Sequence, residues 1–315
     1  MFNESSTPLV LRRYYQSINT SIKINADDDI ASLLHEAAVR HFQQYPFHSL
    51  YFNLRNKDHL TGEDIPVPLH RNALIQQLLV NKGGSCYHHN ALFQAILEDN
   101  GIDSWFVSCL VHDPMSPDKT FDLATHIAIV FKHNDKLYLF DPGWDGSSLS
   151  VYPLPEPTDP VARDNQHQIR YTGHPDYPFS FEEIKPAGAV TRYDFNLNRT
   201  NLADYERAIH YLNAKTYAFN TLFLFTKISE NQEVIRLINR RLIIQSISGV
   251  ERHNAELIEN VSLLDTLTEL LGPQEGLTKD LAMDDFKNPE LGRLICQAAP
   301  ELNNDSSSTL AASHA

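Results

Sequence analysis

The stretch NKGGSCYHHNALF, residues 81–93, is where the chain declares its chemistry. Gly83 and Gly84 let the backbone turn sharply and leave space beside the side chain that follows. A helical pattern then runs from about Cys86 to Gly101, with Asn90, Phe93 and Leu97 on the face of Cys86. A cysteine in the first turn of a helix lies among backbone N–H groups without helical partners, at the positive end of the helix dipole. Both favour its thiolate. The thiolate is the attacking form, so Cys86 is a candidate nucleophile. The same N–H groups can hold the oxyanion of a tetrahedral intermediate, and Asn90, one turn on, offers a polar anchor beneath the sulfur. The bland alternative is that Cys86 is a small core residue, as cysteines in apolar helices commonly are.

Upstream, Ile30, Leu33, Leu34, Ala37 and His41 recur at helical spacing after the capping run Asp27-Asp28-Asp29, which predicts a helix over 27–45 ended by Pro46. Residues 61–68 read as a loop and 69–80 as a further helix. Downstream the period changes to two. In SWFVSCLV (104–111), Trp105, Val107, Cys109 and Val111 share a face. In THIAIVFK (125–132), His126, Ala128 and Val130 share one face, opposite Ile127, Ile129 and Phe131. LYLFD (137–141) follows the turn residues His133, Asn134 and Asp135, so the pair predicts an antiparallel hairpin. The proline-rich stretch 153–186 reads as irregular, and 190–195 as a strand. Residues 201–215 read as a helix, followed by three β-rich runs, TLFLFTKI, EVIRLIN and RLIIQSI. A helix over 254–271 and a polar tail from about Asn303 complete the expectation.

At 315 residues the chain is long enough for two or three units. Hydrophobic content of 42% with 21% charged residues is that of a globular protein. A net charge of −14 argues against binding the nucleic-acid backbone, which calls for a basic face. Three widely spaced cysteines, Cys86, Cys109 and Cys296, form no CxxC pair and point to a reducing compartment. The first thirty residues contain no signal-peptide pattern, and no run of about 18 apolar residues is present to span a membrane. These features point to the cytoplasm, with export by a route that leaves no N-terminal signature left open.

Three elements taken together resemble the arylamine N-acetyltransferase family. They are the Gly-Gly-x-Cys-x-x-x-Asn segment ending at Asn90, a strand histidine 40 residues after the cysteine, and a strand ending in Asp141 a further 15 residues on, followed by Pro-Gly-Trp. The upstream YPFHSL (45–50) is similar to that family's Pro-Phe-Glu-Asn-Leu, and the likeness covers about residues 35–250. The resemblance implies that Cys86 takes the acetyl group, His126 acts as its base and Asp141 fixes the imidazole tautomer. It implies that Gly83 and Gly84 shape the backbone at the thioester and that Trp144 faces the substrate. It also implies an α+β fold of the cysteine-triad type shared with papain and transglutaminase: a helical domain (1–101), an antiparallel β-barrel domain (102–200) and a smaller α/β lid (201–275), with 276–315 as an extension and tail. No cofactor is held permanently on this reading. Acetyl-CoA is the co-substrate, a small aromatic amine or hydrazine the acceptor, and neither nucleic acid nor membrane is a partner.

The chain departs from the family pattern at Lys82, where arginine is usual, at Tyr87-His88, and at Trp144-Asp145. Lysine does not replace an arginine fork, and a tryptophan for the usual phenylalanine leaves the acceptor open. Alternatives stand beside this reading. An amide synthase would use the same triad, and a papain- or transglutaminase-like enzyme shares the order Cys…His…Asp. A non-catalytic relative would retain the fold alone. A zinc site from Cys86, His88, His89 and His112 fits no structural spacing, so no metal is expected.

Overall fold

The chain is described by a computed structural model covering residues 7–19, 21–25, 27–49, 69–113, 116–120, 123–146, 148–205, 208 and 223–256. Its N-terminal part is helical: α1 (Thr7–Ser17), α2 (Ile30–Gln44), α3 (Arg71–Asn81) and α4 (Cys86–Asp99). The expected helix over 27–45 is α2. The Asp29 carboxylate caps it by accepting from the N–H groups of Ala31 and Ser32, and Pro46 follows its end. Helix α1 has no counterpart in the sequence reading, although Leu11, Tyr14 and Ile18 recur at helical spacing and are all buried. Helix α3 ends where Lys82 takes a left-handed φ of 53°, and Gly83 N–H returns to the Leu78 carbonyl.

Helix α4 is buried on every side from Cys86 to Leu97. A helix buried all round needs partners all round, and its buried His88, His89, Asn90 and Gln94 need hydrogen bonds as well. It rests on α1 and α3 and on the outer face of β4 (His126–His133). There Ile127, Ile129 and Phe131 join the helical core, while Ala128 and Val130 point into a second core with Val107, Cys109, Phe181 and Tyr193. The period-two pattern of 125–132 therefore divides two cores, with His126 on the face of the second.

That second core fills an antiparallel barrel with strands in the order β6 (Val151–Pro153), β5 (Lys136–Phe140), β4, β2 (Ser104–Asp113), β10 (Gly188–Phe195), β9 (Phe179–Lys185), β8 (His167–Tyr171) and β7 (Val161–Arg163). Its two edges, β6 and β7, approach each other, so the barrel is nearly closed. The short β3 (Ser116–Thr120) pairs with β2 off this path. The β4–β5 hairpin turns at Asn134 and Asp135, whose φ values of 48° and 60° suit the tight hairpin turn that matches strand twist. The region 153–186 corrects the expectation of irregular chain, because β7, β8 and β9 lie within it. Its prolines stand at strand ends or between strands, where no ladder N–H is missed.

A second sheet orders β1 (Phe47–His48), β11 (Leu224–Ile228), β12 (Glu233–Ile238), β13 (Arg241–Ser246) and β14 (Glu251–Glu256). The three β-rich runs are β11 to β13. Strand β14 replaces the start of the helix expected from 254; the rest of that helix and the tail lie outside the described residues. So do the loop 61–68, Cys296 and most of the helix expected over 201–215, of which a 3-10 turn, Leu202–Tyr205, is described. Among the described residues no helix is long and apolar enough to cross a membrane.

Candidate active site

Cys86 opens α4, with Ser85 as the residue before the helix. The turn leading to it is pinned against β1. Gly84 N–H donates to the Pro46 carbonyl, His48 N–H donates to the Gly84 carbonyl, and Phe47 and Gly84 form a parallel bridge. The packing needs glycine at both positions. A Cβ on Gly83, at φ 157°, would stand 2.6 Å from the Pro46 carbonyl oxygen, and one on Gly84 would meet His88 at 2.7 Å. The pair therefore shapes the approach to the sulfur. Cys86 is buried, with 8% of its surface exposed.

The elements meet as follows. Strand β4 begins with His126, β5 runs into Asp141, and α4 presents Cys86 between them. The His126 Nε2–H donates to Asp141 Oδ2 at 2.7 Å, and the Cys86 side chain hydrogen bonds the same ring. With Nε2 engaged by the carboxylate, Nδ1 is the nitrogen left for sulfur. Asp141 is fully buried and holds two further donors, Asn90 Nδ2 at 2.8 Å on Oδ1 and the Tyr193 hydroxyl at 2.8 Å on Oδ2. A buried carboxylate requires such compensation. Asn90 thus serves the aspartate rather than the sulfur. Its amide also donates to the Ile127 carbonyl at 2.6 Å, and its Oδ1 accepts from Gly143 N–H at 2.9 Å. This packing is close enough that a Cβ on Gly143 would sit 2.6 Å from Asn90.

Burial alone would lower the His126 imidazole below its ordinary value. The Asp141 carboxylate, with a smaller contribution from Cys86, overrides it and raises the group to about 10. His126 therefore holds its proton at neutral pH and places a cation beside the sulfur. Burial, reinforced by Asp141, pushes the Tyr193 hydroxyl well up, so it stays a donor. Burial also pushes the Cys109 thiol well above its usual range, which leaves it inert in the barrel core.

Trp144 is half-buried. Its ring stands edge-on to His126 at 5.1 Å, with Tyr193 at 5.1 Å and Phe181 at 6.2 Å. It forms a wall behind the imidazole and packs onto the barrel core. Tyr193 was not singled out from the sequence, because a tyrosine in a strand reads as core until the register is known.

The four residues weighed for zinc are dispersed. His112 bonds Asp194 at 2.7 Å on the barrel, while His88 and His89 turn back to the glycine loop. Among the described residues no three His, Cys, Asp or Glu side chains form a group able to hold a metal ion.

A family model described as N-acetyltransferase matches residues 30–273. A probable arylamine N-acetyltransferase 2 of Dictyostelium discoideum is 35% identical over 89 residues, covering 28% of this chain and 29% of the relative. An arylamine N-acetyltransferase of Mycolicibacterium smegmatis is 31% identical over 147 residues, covering 45% and 50%. The chain thus spans half or less of the length of these two relatives. Among solved structures, the Mycobacterium marinum arylamine N-acetyltransferase in complex with CoA is similar at a TM-score of 0.66 and 21% identity, over 91% of this chain and 99% of that one.

Proposed function

The chain belongs to the N-acetyltransferase family, and from that premise we propose that it transfers an acetyl group from acetyl-CoA to an aromatic amine or hydrazine through a thioester on Cys86. The observation that carries this reading is the buried contact set Cys86–His126–Asp141, with His126 Nε2 2.7 Å from Asp141 Oδ2 and the imidazole raised to about 10 beside the Cys86 side chain. In the first half-reaction the Cys86 thiolate attacks the acetyl carbonyl of acetyl-CoA. The carbon–sulfur bond to CoA breaks, and the departing thiolate takes the proton from His126. In the second, the amine attacks the thioester, its surplus proton passes to His126, and Cys86 leaves as thiolate. Asp141 keeps Nε2 protonated throughout, so that Nδ1 faces the reacting atoms.

Gly83 and Gly84 set the backbone beside the thioester, and Trp144 walls the acceptor side of His126. The name of the M. marinum complex supports CoA as the donor's carrier. The partition into 1–101, 102–200, 201–275 and 276–315 belongs to the same proposal, supported by the succession of helices, barrel and second sheet. A cytoplasmic setting is supported by Cys86 and Cys109 both being free thiols. Initial-rate kinetics test the scheme. Varying acetyl-CoA at several fixed amine concentrations should give parallel double-reciprocal lines, the pattern of a ping-pong route. Intersecting lines would require both substrates on the enzyme at once and exclude the ping-pong order.

A further inference from the structure

We infer that His88 and His89 are positioning residues that grip the two ends of the Gly84–Ser85 peptide, and so set the backbone from which Cys86 projects; this rests on the acyl-transfer reading above. The carbonyl and N–H of one peptide unit are held by neighbouring imidazoles. The Gly84 carbonyl accepts from His89 Nε2–H at 2.9 Å, and Ser85 N–H donates to His88 Nδ1 at 3.2 Å. The Ser85 hydroxyl shares that acceptor at 3.0 Å, and His48 N–H adds a second donor to the carbonyl at 2.9 Å. Rotation of this peptide would break its bonds at both ends together. Adjacent residues on a helix point about 100° apart, which is why consecutive histidines can reach opposite ends of one peptide.

The bonding fixes every proton. A carbonyl only accepts, so His89 carries its hydrogen on Nε2 and its Nδ1 is a bare acceptor. His41 Nε2 lies 2.7 Å from that Nδ1 and must be the donor, which leaves His41 Nδ1 to accept from the Tyr14 hydroxyl at 3.1 Å. Ser85 N–H only donates, so His88 Nδ1 is bare and its Nε2–H points to Gln77 Oε1 at 3.3 Å. All three rings are then neutral Nε2–H tautomers. A second proton on His88 or His89 would set N–H against N–H, from Ser85 and from His41 respectively, whereas one on His41 Nδ1 would turn the Tyr14 hydroxyl from donor to acceptor. Burial lowers all three below the ordinary histidine value, His41 and His88 to about 3, so the arrangement persists at working pH. None of these rings is assigned a place in the proton path, and their bonds end on the nucleophile's own turn.

Nitrogen-15 NMR of the full-length protein at pH 7, with histidines labelled and assigned, reads the tautomers directly. The grip predicts Nε2–H for His41, His88 and His89, and an Nδ1–H ring at His88 or His89 overturns it. Single-turnover acetylation of Cys86 by acetyl-CoA supplies the second arm. H88L and H89L should lower the maximal rate on the order of ten- to a hundredfold, because misplacement of a reacting group acts on the chemical step. The acetyl-CoA concentration at half-maximum should be unchanged. H88N retains an acceptor and H89Q a donor, so both should recover most of the rate. Leucine variants as fast as wild type, or amide variants as slow as folded leucine ones, contradict the role. If a leucine variant does not fold, the tautomers decide. A wild-type enzyme that takes no acetyl group refutes acyl transfer instead, and the tautomers alone then support or overturn the grip.

Discussion

Asp141 has two oxygens and three donors, from His126, Asn90 and Tyr193. Its replacement by asparagine removes the charge and forces a choice, because a carboxamide has one accepting oxygen and one donating nitrogen. With nitrogen toward His126, the imidazole must move its proton to Nδ1, the side that has to be bare when the amine attacks. Asp141→Asn should therefore lower turnover on the order of 10³–10⁴-fold, as in triads where the same exchange leaves the wrong tautomer. Circular dichroism should be nearly unchanged. A loss of less than tenfold in a folded variant would show that the carboxylate does not set the tautomer. Cys86, His126 and Asp141 were put forward by the family resemblance, since a glycine pair, a strand phase or a strand end alone also suits a core or turn residue. Tyr193 and the two histidines of the grip were not, because their partners come from strand register and from bonds to backbone, which no local pattern encodes.

At the scale of elements, the contact between α4 and the helical face of β4 and β5 holds the nucleophile against its base. Phe93 is central to it: fully buried, edge-on to Phe140 at 5.2 Å and to His41 at 5.2 Å. Phe93→Ala should cost about 3–5 kcal/mol, the usual range for emptying a phenylalanine site in a core, measured by urea unfolding followed by fluorescence. A cost under about 1 kcal/mol would mean that the helix does not pack there. Elements with a strong period were readable: α2, α3, α4, β2, β4 and the run β11 to β13. The strands within 153–186 were hidden because their prolines, read as breakers, only mark strand ends. Strand β1 has two residues, too few for any period to show.

For the molecule as a whole, histidine burial sets the response to acid. In His41, His48, His88 and His89 burial is the largest influence, holding the first three at about 3, 4 and 3 and the last well below the ordinary value. The unfolded chain binds these protons at about 6.5 while the folded one refuses them. Stability is therefore fully present above about pH 6.5 and is lost as pH falls toward 4, by about 1.4 kcal/mol per pH unit for each ring. His126 has the opposite sign. Its value is raised to about 10, so its contribution is complete below 6.5 and fades as pH climbs through 10. Urea midpoints should drop steeply between pH 6.5 and 4.5, and His48→Leu, which removes a ring whose nitrogens have no partner among the described residues, should make the drop shallower. A flat profile over that interval would show that these rings take up protons while folded. Composition revealed the histidines but not their burial, which follows from α2, β1 and α4 converging on one turn.

The central claim is that Cys86 carries the acetyl group, and intact-mass spectrometry with peptide mapping reads this directly. Wild-type protein mixed with acetyl-CoA in the absence of amine should gain one acetyl group, located on the peptide containing Cys86. Addition of a simple aniline should discharge it as the acetanilide, and Cys86→Ala should never acquire it. A wild-type protein that stays unmodified while the amine is turned over, or an acetyl group found on another residue, would contradict the account.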